Sequence, residues 1–404
     1  MTTPKLRFKE FDGDWSSVFL LEISTLITKG TTPKQFIEGN INFLKIEAIT
    51  QNGFDLSKCQ TISDEINNKE LKRSVLMEGD ILFAIAGATI GKNAIVQKEL
   101  LPANTNQALA IIRLKENYSK IFISKVLNSP LMEKYIDINI STGAQPNLNL
   151  QQIGSFSFAL PKLEEQTKIA SFLSAVDEKI SQLTQKHELL GQYKQGMMQK
   201  LFSQQIRFKA DDGGEFGEWE DKTLGGIADI KRGASPRPIK DKKWFSETSN
   251  VGWVRISDVT RSNHILLKTQ QYLSNLGIEK SRFVPKGSLI MSICATIGKP
   301  IYTGFDVCIH DGFVVFENLK LNHSYAYHYL FFIKENWYHY GQPGTQVNLN
   351  SDIVNNETIC VPCLEEQNKI ANFLSAIDQK IAVVAQQIEQ AKTWKKGLLQ
   401  QMFV

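Results

Sequence analysis

The chain has 404 residues, a formal net charge of +4, 42% hydrophobic and 22% charged residues, the composition of an ordinary soluble protein able to bury more than one core. Its longest apolar stretch, residues 81–90, is far short of the roughly 20 residues that span a bilayer, and residues 1–21 hold Lys5, Arg7, Lys9 and several acids without an apolar signal segment, so a cytoplasmic location is expected. Five sparse cysteines argue against a disulfide framework, and the lone pair Cys360 and Cys363 faces Ala159 and Lys162 in the internal repeat described below, so no metal site is expected.

In chain order, residues 10–158 read as a strand-rich domain with short helices. Its landmarks are 30–33 (GTTP), 43–50 (FLKIEAIT), 79–82 (GDIL), 88–92 (ATIGK) and 143–149 (GAQPNLN). A long helix is expected after Pro161, with Glu164 and Glu165 in its first turn, where negative charge suits the helix dipole. Residues 206–209 (IRFK) and Trp219 then echo residues 6–9 (LRFK) and Trp15. A second strand-rich domain covers about 212–360, with landmarks in the same order: 233–236 (GASP), 253–260 (WVRISDVT), 287–290 (GSLI), 295–299 (ATIGK) and 344–350 (GTQVNLN). A second long helix follows Pro362, with Glu365 and Glu366 in its first turn.

The two helical blocks are copies at an offset of 201, identical at fifteen of twenty positions between 161–180 and 362–381. Such a duplication implies two similar units about a pseudo-twofold axis and a ligand with two comparable sites. In the first block Leu173, Val176, Ile180, Leu183, His187, Leu190, Lys194, Met197 and Leu201 alternate by three and four. In the second Leu374, Ile377, Ile381, Val384, Ile388, Ala391, Lys395, Leu398 and Met402 do the same. Each rod is about 60 Å long at ~1.5 Å per residue.

The expected arrangement is an antiparallel pair of rods acting as a spacer, with one strand-rich domain at each end; packing of each helix on its own domain is the alternative. His187, Lys194 and Lys395 interrupt the seam; His187 is read as a partly exposed heptad residue and the two lysines as snorkelling or register-setting residues. The LRFK echo places the N-terminal segment beside the end of the second helix, so the termini should lie close together.

The pair of LEEQ-x-KIA-x-FLSA segments alternating with two divergent domains, with both ATIGK and both GxQxNLN segments, resembles the specificity subunit of type I restriction-modification systems over essentially the whole chain. The resemblance implies an α+β fold. Two target recognition domains (1–160 and 206–361) would be separated by conserved helices (161–205 and 362–404) in an antiparallel coiled coil. It further implies recognition of a bipartite, asymmetric double-stranded DNA site without catalysis by this chain. Two methyltransferase subunits using S-adenosylmethionine are the implied partners, with restriction subunits using ATP and Mg where present.

The residues support DNA contact independently. Residues 231–243 (KRGASPRPIKDKK) place six basic residues and one acid around two prolines, a stiff basic loop suited to phosphates and base edges. The candidates there are Lys231, Arg232, Ser235, Arg237, Lys240, Lys242 and Lys243; the sparser first copy offers Lys29, Thr31, Thr32 and Lys34. Lys45 and Arg255 occupy matched strand positions, and Lys92 and Lys299 end matched glycine turns. Gln145, Asn147, Gln346 and Asn348 either contact DNA or cap a turn. A half-site separation of about 10 base pairs is expected by analogy with dimeric readers.

Enzyme signatures are lacking. Residues 87–92 (GATIGK) have one residue too few for a phosphate loop, no following Ser or Thr, and Cys294 in place of the first glycine in the copy. His310 and Asp311 face Asn106 and Gln107, so an acid-base pair there would serve only half the molecule. An interaction scaffold, with the domains binding proteins or glycans, is the competing reading; salt-dependent DNA binding separates the two.

Overall fold

The computed structural model describes residues 3–50, 53–87, 89–140, 146–340 and 349–404. The chain divides into two compact units, Met1–Lys186 with Val384–Val404, and His187–Val383. The division runs through the long helices rather than at their ends: the first helix, Leu163–Phe202, and the second, Leu364–Met402, each contribute to both units.

In unit one, Leu109–Leu114 pairs antiparallel with Ser24–Lys29 on one side and Ile81–Ala84 on the other, and Asn93–Ile95 completes a four-stranded sheet. The central strands read as near-continuous apolar runs because both faces of the sheet are covered. Ile81, Phe83, Ala110 and Ile112 point into a core shared with the helices. Leu82, Ala84, Leu109 and Ile111 point the other way, onto Leu44, Ile49 and Ala103. That second face is roofed by a three-stranded sheet in which Ile41–Leu44 pairs antiparallel with Gln60–Ile62 and parallel with Ala103–Thr105.

Unit two repeats this order: Asp229–Arg232, Phe313–Glu317, Leu289–Ser292 and Pro300–Thr303 form the matching sheet, extended by a parallel edge strand, Ile265–Leu266. Gly252–Val254 pairs with Gln271–Tyr272 and Val307–Ile309, and Arg282–Val284 is added outside. Odd and even residues again part between two cores, with Leu289, Met291 and Val314 facing the helices and Ile290, Phe313 and Val315 facing the smaller sheet.

The helices pair antiparallel within each unit. In unit one Leu173, Val176 and Ile180 pack in one core with Leu398, Leu399 and Met402; in unit two Ile370, Leu374 and Ile377 pack with Met198, Leu201 and Phe202. Within each unit, helix pairing and packing of the helices on the strand-rich region occur together, because the same cores include Ile123 and Val126 of unit one and Tyr325 and Leu330 of unit two. Leu183 and Val384 are buried, and Ile381 is partly buried against the unit-two core.

The seam lysines set the register. Lys395 Nζ lies 2.5 Å from Asp177 Oδ1 and Lys194 Nζ lies 2.6 Å from Asp378 Oδ1, one pair exchanged by the 201-residue offset. Asp177 also accepts from Lys125, whereas the corresponding position beside Asp378 is His328, with Nε2 3.9 Å from Oδ2.

His328 is fully buried, faces Lys194, Asp378, His264 and Tyr327, and has its Nε2 3.4 Å from Ser375 Oγ. Burial first, then Lys194 and His264, lower its pKa from 6.5 to about 3. The ring is therefore neutral when folded and takes a proton below 6.5 when unfolded. Its contribution is complete above 6.5 and is lost as pH falls toward 3. His264 and His310, also lowered by burial, act in the same direction. Urea unfolding of unit two should show a stability loss of about 2 kcal/mol between pH 6.5 and 5.0 from His328 alone. That slope should flatten in His328→Gln; a flat wild-type profile would contradict the neutral buried ring.

The echo at the N-terminus also has a structural counterpart. Leu6 N–H donates to Gln401 O at 3.0 Å, as Ile206 N–H donates to Lys200 O at 3.2 Å. Phe8 meets Phe172 edge-on at 5.6 Å and Phe208 meets Phe373 at 5.7 Å. Arg7 grips Glu165 through Nε at 2.7 Å and Nη2 at 2.8 Å, and Arg207 grips Glu366 at 3.1 and 2.8 Å. The neighbouring glutamines stitch each helix start to its domain: Gln166 donates to Pro161 O and accepts from Ser119 N–H, while Gln367 donates to Pro362 O and accepts from Asn322 N–H. The repeated LEEQ segments therefore mark two helix starts latched to their domains in the same way.

Candidate nucleic-acid interface

In unit two the edge strand Asp229–Arg232 runs into the basic loop, and the loop is pressed against the turn that follows Val307–Ile309. Ala234 N–H donates to Ile309 O at 3.1 Å and Gly233 N–H to Phe313 O at 2.8 Å. A Cβ at Gly233 would overlap the carbonyl oxygens of Ile309 and His310, so this approach requires glycine. Two residues on, the Ser235 hydroxyl donates to Asp311 Oδ1 at 2.6 Å, and Arg237 Nη2 lies 3.2 Å from Oδ2. The Ser235 hydroxyl foremost, with the Arg237 charge adding to it, holds the Asp311 carboxyl below the usual carboxylate range.

These residues line an open groove. Arg237, Lys240, Lys242 and Arg255 bring positive charge, Ser235, Gln271, His310 and Asp311 bring directed polar groups, and Ile239, Phe245 and Trp253 supply apolar surface. Lys240 and Lys242 are exposed and make no ion pair among the described residues. His310 Nδ1 accepts from Gly312 N–H at 2.7 Å, and burial keeps the ring neutral, which leaves Nε2 as a donor. The groove therefore offers cations for phosphates and both donors and an acceptor for base edges.

Unit one builds the same frame with other side chains. Gly30 N–H donates to Leu109 O and Thr31 N–H to Thr105 O, each at 3.1 Å, and a Cβ at Gly30 would overlap the Thr105 and Asn106 carbonyls. Thr32 takes the place of Ser235, and its hydroxyl donates to Gln107 Oε1, the counterpart of Asp311. Gln60 lies opposite Phe43 as Gln271 lies opposite Trp253. Lys45, matched to Arg255, bonds Gln60 Oε1 and sits 5.2 Å over the Phe36 ring. Phe36, Glu38, Cys59, Gln60 and Thr61 line the hollow there.

The structure thus gathers Ser235, Arg237, Lys240, Lys242 and Arg255 into one groove and distributes the other candidates elsewhere. Lys231 pairs with Glu317 at 2.6 Å, Lys243 with Asp241 at 3.0 Å while lying over Trp244, and Arg232 donates to Asp311 O at 2.7 Å. Lys299 is turned inward: its ammonium donates to Thr260 O and Ser262 O at 3.2 and 2.8 Å, and burial lowers its pKa. It closes the end of the short helix Ile256–Arg261 rather than facing the groove.

In unit one Lys29 and Lys34 are exposed beside the loop, the Lys34 N–H donating to Glu70 Oε1 at 2.8 Å, and Thr31 Oγ1 accepts from Arg73 at 3.2 Å. Lys92 lines a different hollow, with Lys125, Ser174 and Asp177. Gln145, Gln346 and Asn348 lie outside the described residues; Asn147 bridges Ala86.

Sequence reading overlooked Gln107, Asp311, Gln60 and Gln271 as groove residues. The available signal was the mismatch of Asn106-Gln107 with His310-Asp311 inside an otherwise parallel frame. Among the described residues there is no cluster of metal-binding side chains and no helix long and apolar enough to cross a membrane.

The family model for the type I restriction modification DNA specificity domain matches residues 12–190 and 217–393. The putative type I restriction enzyme MjaX specificity subunit of Methanocaldococcus jannaschii is 27% identical over 418 residues, covering 98% of this chain and 94% of its own. The MjaVIII specificity subunit of the same organism is 25% identical, covering 83% and 80%. The EcoBI specificity subunit of Escherichia coli reaches 31% over a shorter span, 39% of this chain and 33% of its own. Two solved structures share the fold. A chain from a study of complex assembly and conformational transition in a type I R-M system has a TM-score of 0.64 at 19% identity, covering 95% of this chain and 96% of that one. The type I restriction-modification S subunit of M. genitalium has a TM-score of 0.57 at 16% identity, covering 100% and 99%.

Proposed function

This chain belongs to the type I restriction modification DNA specificity family, and from that membership we propose that it reads one bipartite, asymmetric double-stranded DNA site, each unit taking one half. It is a specificity subunit of a type I restriction-modification system. The observation that carries the finer reading is the duplicated groove: one glycine-clamped loop, built twice, with Lys45, Gln107 and Thr32 in one copy where Arg255, Asp311 and Ser235 stand in the other. An invariant frame with exchanged polar groups is what two different base sequences require.

The chain contributes recognition and no catalytic group. Methyl transfer is the work of two methyltransferase subunits binding S-adenosylmethionine, and restriction, where its subunits are present, draws on ATP and Mg held by them. The complex works in the cytoplasm, and the length of the long helices sets the unspecified gap between half-sites.

The test is single-molecule methylome sequencing of cells carrying this chain with its neighbouring methyltransferase, against cells lacking only this chain. Loss of one bipartite adenine-methylated motif is expected. An unchanged methylome with an active partner would overturn the reading in favour of an interaction scaffold.

A further inference from the structure

We propose that Gln107 and Asp311 are equivalent base-reading positions, and that they specify an A·T pair in the first half-site and a G·C pair in the second. The inference rests on the reading of each groove as a DNA half-site reader. Both residues stand one after the position whose carbonyl presses on the loop glycine, Asn106 in one unit and His310 in the other. A hydroxyl from the loop fixes each: Thr32 on Gln107 and Ser235 on Asp311. A polar side chain held by a bond that recurs in both copies, while its own identity changes, is placed for recognition rather than for the fold.

The chemistry of the two residues differs in a readable way. Thr32 donates to Oε1 of Gln107, which leaves the amide N–H groups and one acceptor site free. That combination matches the N7 acceptor and N6 donor of adenine. Asp311 offers acceptors only, and its Oδ2 stands 3.2 Å from Arg237. In the major groove a G·C pair presents O6 and N7 acceptors beside the N4 donor of cytosine. Arg237 suits the guanine edge and Asp311 the cytosine amino group, so one ion pair covers one base pair. Arg237 is three-quarters exposed and Asp311 nearly half, so both can reach a ligand and neither supports the core.

The experiment compares methylomes of cells carrying the wild-type complex with those carrying Asp311→Asn, Arg237→Lys or Gln107→Ala. Expected for both unit-two variants is relaxation at one G·C position of the second half-site, with methylation of the original motif reduced about 10- to 100-fold and the first half-site and gap unchanged. Gln107→Ala is expected to relax one A·T position of the first half-site alone.

A second half-site without a G·C pair, or one whose sequence and methylation rate are untouched by both variants, overturns the assignment of Asp311. Loss of both half-sites at once would show a structural role and overturn it equally. Absence of any bipartite motif with the wild-type chain would refute the underlying half-site reading itself, an outcome distinct from a motif that the variants leave unaltered.

Discussion

Gly233→Ala is expected to abolish methylation of the wild-type motif through the second half-site while leaving the first unit's DNA preference intact. The added Cβ meets backbone carbonyls of Ile309 and His310, not the tip of a side chain that could swing aside. Those carbonyls belong to a strand and turn held in the middle of a sheet, where Val307–Ile309 is paired on both sides. The loop must therefore lift, breaking the Ala234 to Ile309 and Gly233 to Phe313 hydrogen bonds and drawing Ser235 and Arg237 away from Asp311. Overpacking of this kind costs about 3 kcal/mol, or roughly 100-fold in specific binding. Competition binding to the cognate duplex against one altered in the second half-site measures it. Wild-type discrimination by the variant would show that the close approach does not govern recognition. Gly30→Ala should produce the same loss for the first half-site.

Arg7→Ala is expected to destabilise unit one by about 3–5 kcal/mol, the effect of leaving a buried carboxylate without its partner, and to lower that unit's melting midpoint by roughly 10 °C. Glu165 is 2% exposed and receives both its charge-assisted hydrogen bonds from this one guanidinium. The same guanidinium also donates to the Gly13 and Asp12 carbonyls. Arg7→Lys should recover little, because a single ammonium cannot serve both carboxylate oxygens and the loop carbonyls together. Arg207→Ala should cost less in unit two, since Glu366 keeps the Trp219 Nε1 donor at 3.0 Å, a bond that Trp15 does not make to Glu165. Calorimetry of the single variants checks the ranking; equal losses in the two units would show that the Trp219 bond carries no weight.

Much of the architecture was legible in the letters because it is written in periodicities. The three-four alternation from Leu173 to Leu201 and its copy specify helices with one apolar stripe. The copied LEEQ segments announce two like units. The LRFK echo locates the N-terminal segment, because a repeated sequence implies a repeated contact. Less legible is what completes the helix stripes, which are joined in their cores by Ile123, Val126, Tyr325 and Leu330 of the strand-rich regions. Lys194 and Lys395 looked like interruptions of the seam and prove to hold its register through Asp378 and Asp177.

By itself the sequence determined the duplication, the helices, the strand-rich class and the family, since each depends on residue type at a fixed local spacing or on letters repeated at a fixed offset. Only the tertiary structure decided which polar groups face the groove. Lys240 and Lys299 are equally basic in the sequence, but Lys299 finds two carbonyls of a neighbouring helix end within reach while Lys240 finds none among the described residues, and a charge desolvated against carbonyls is unavailable to a phosphate. Ser235 and Asp311 stand 76 residues apart and Thr32 and Gln107 stand 75 apart. Their hydrogen bonds form because a glycine lets two backbones touch, and that contact has no local period for the sequence to display.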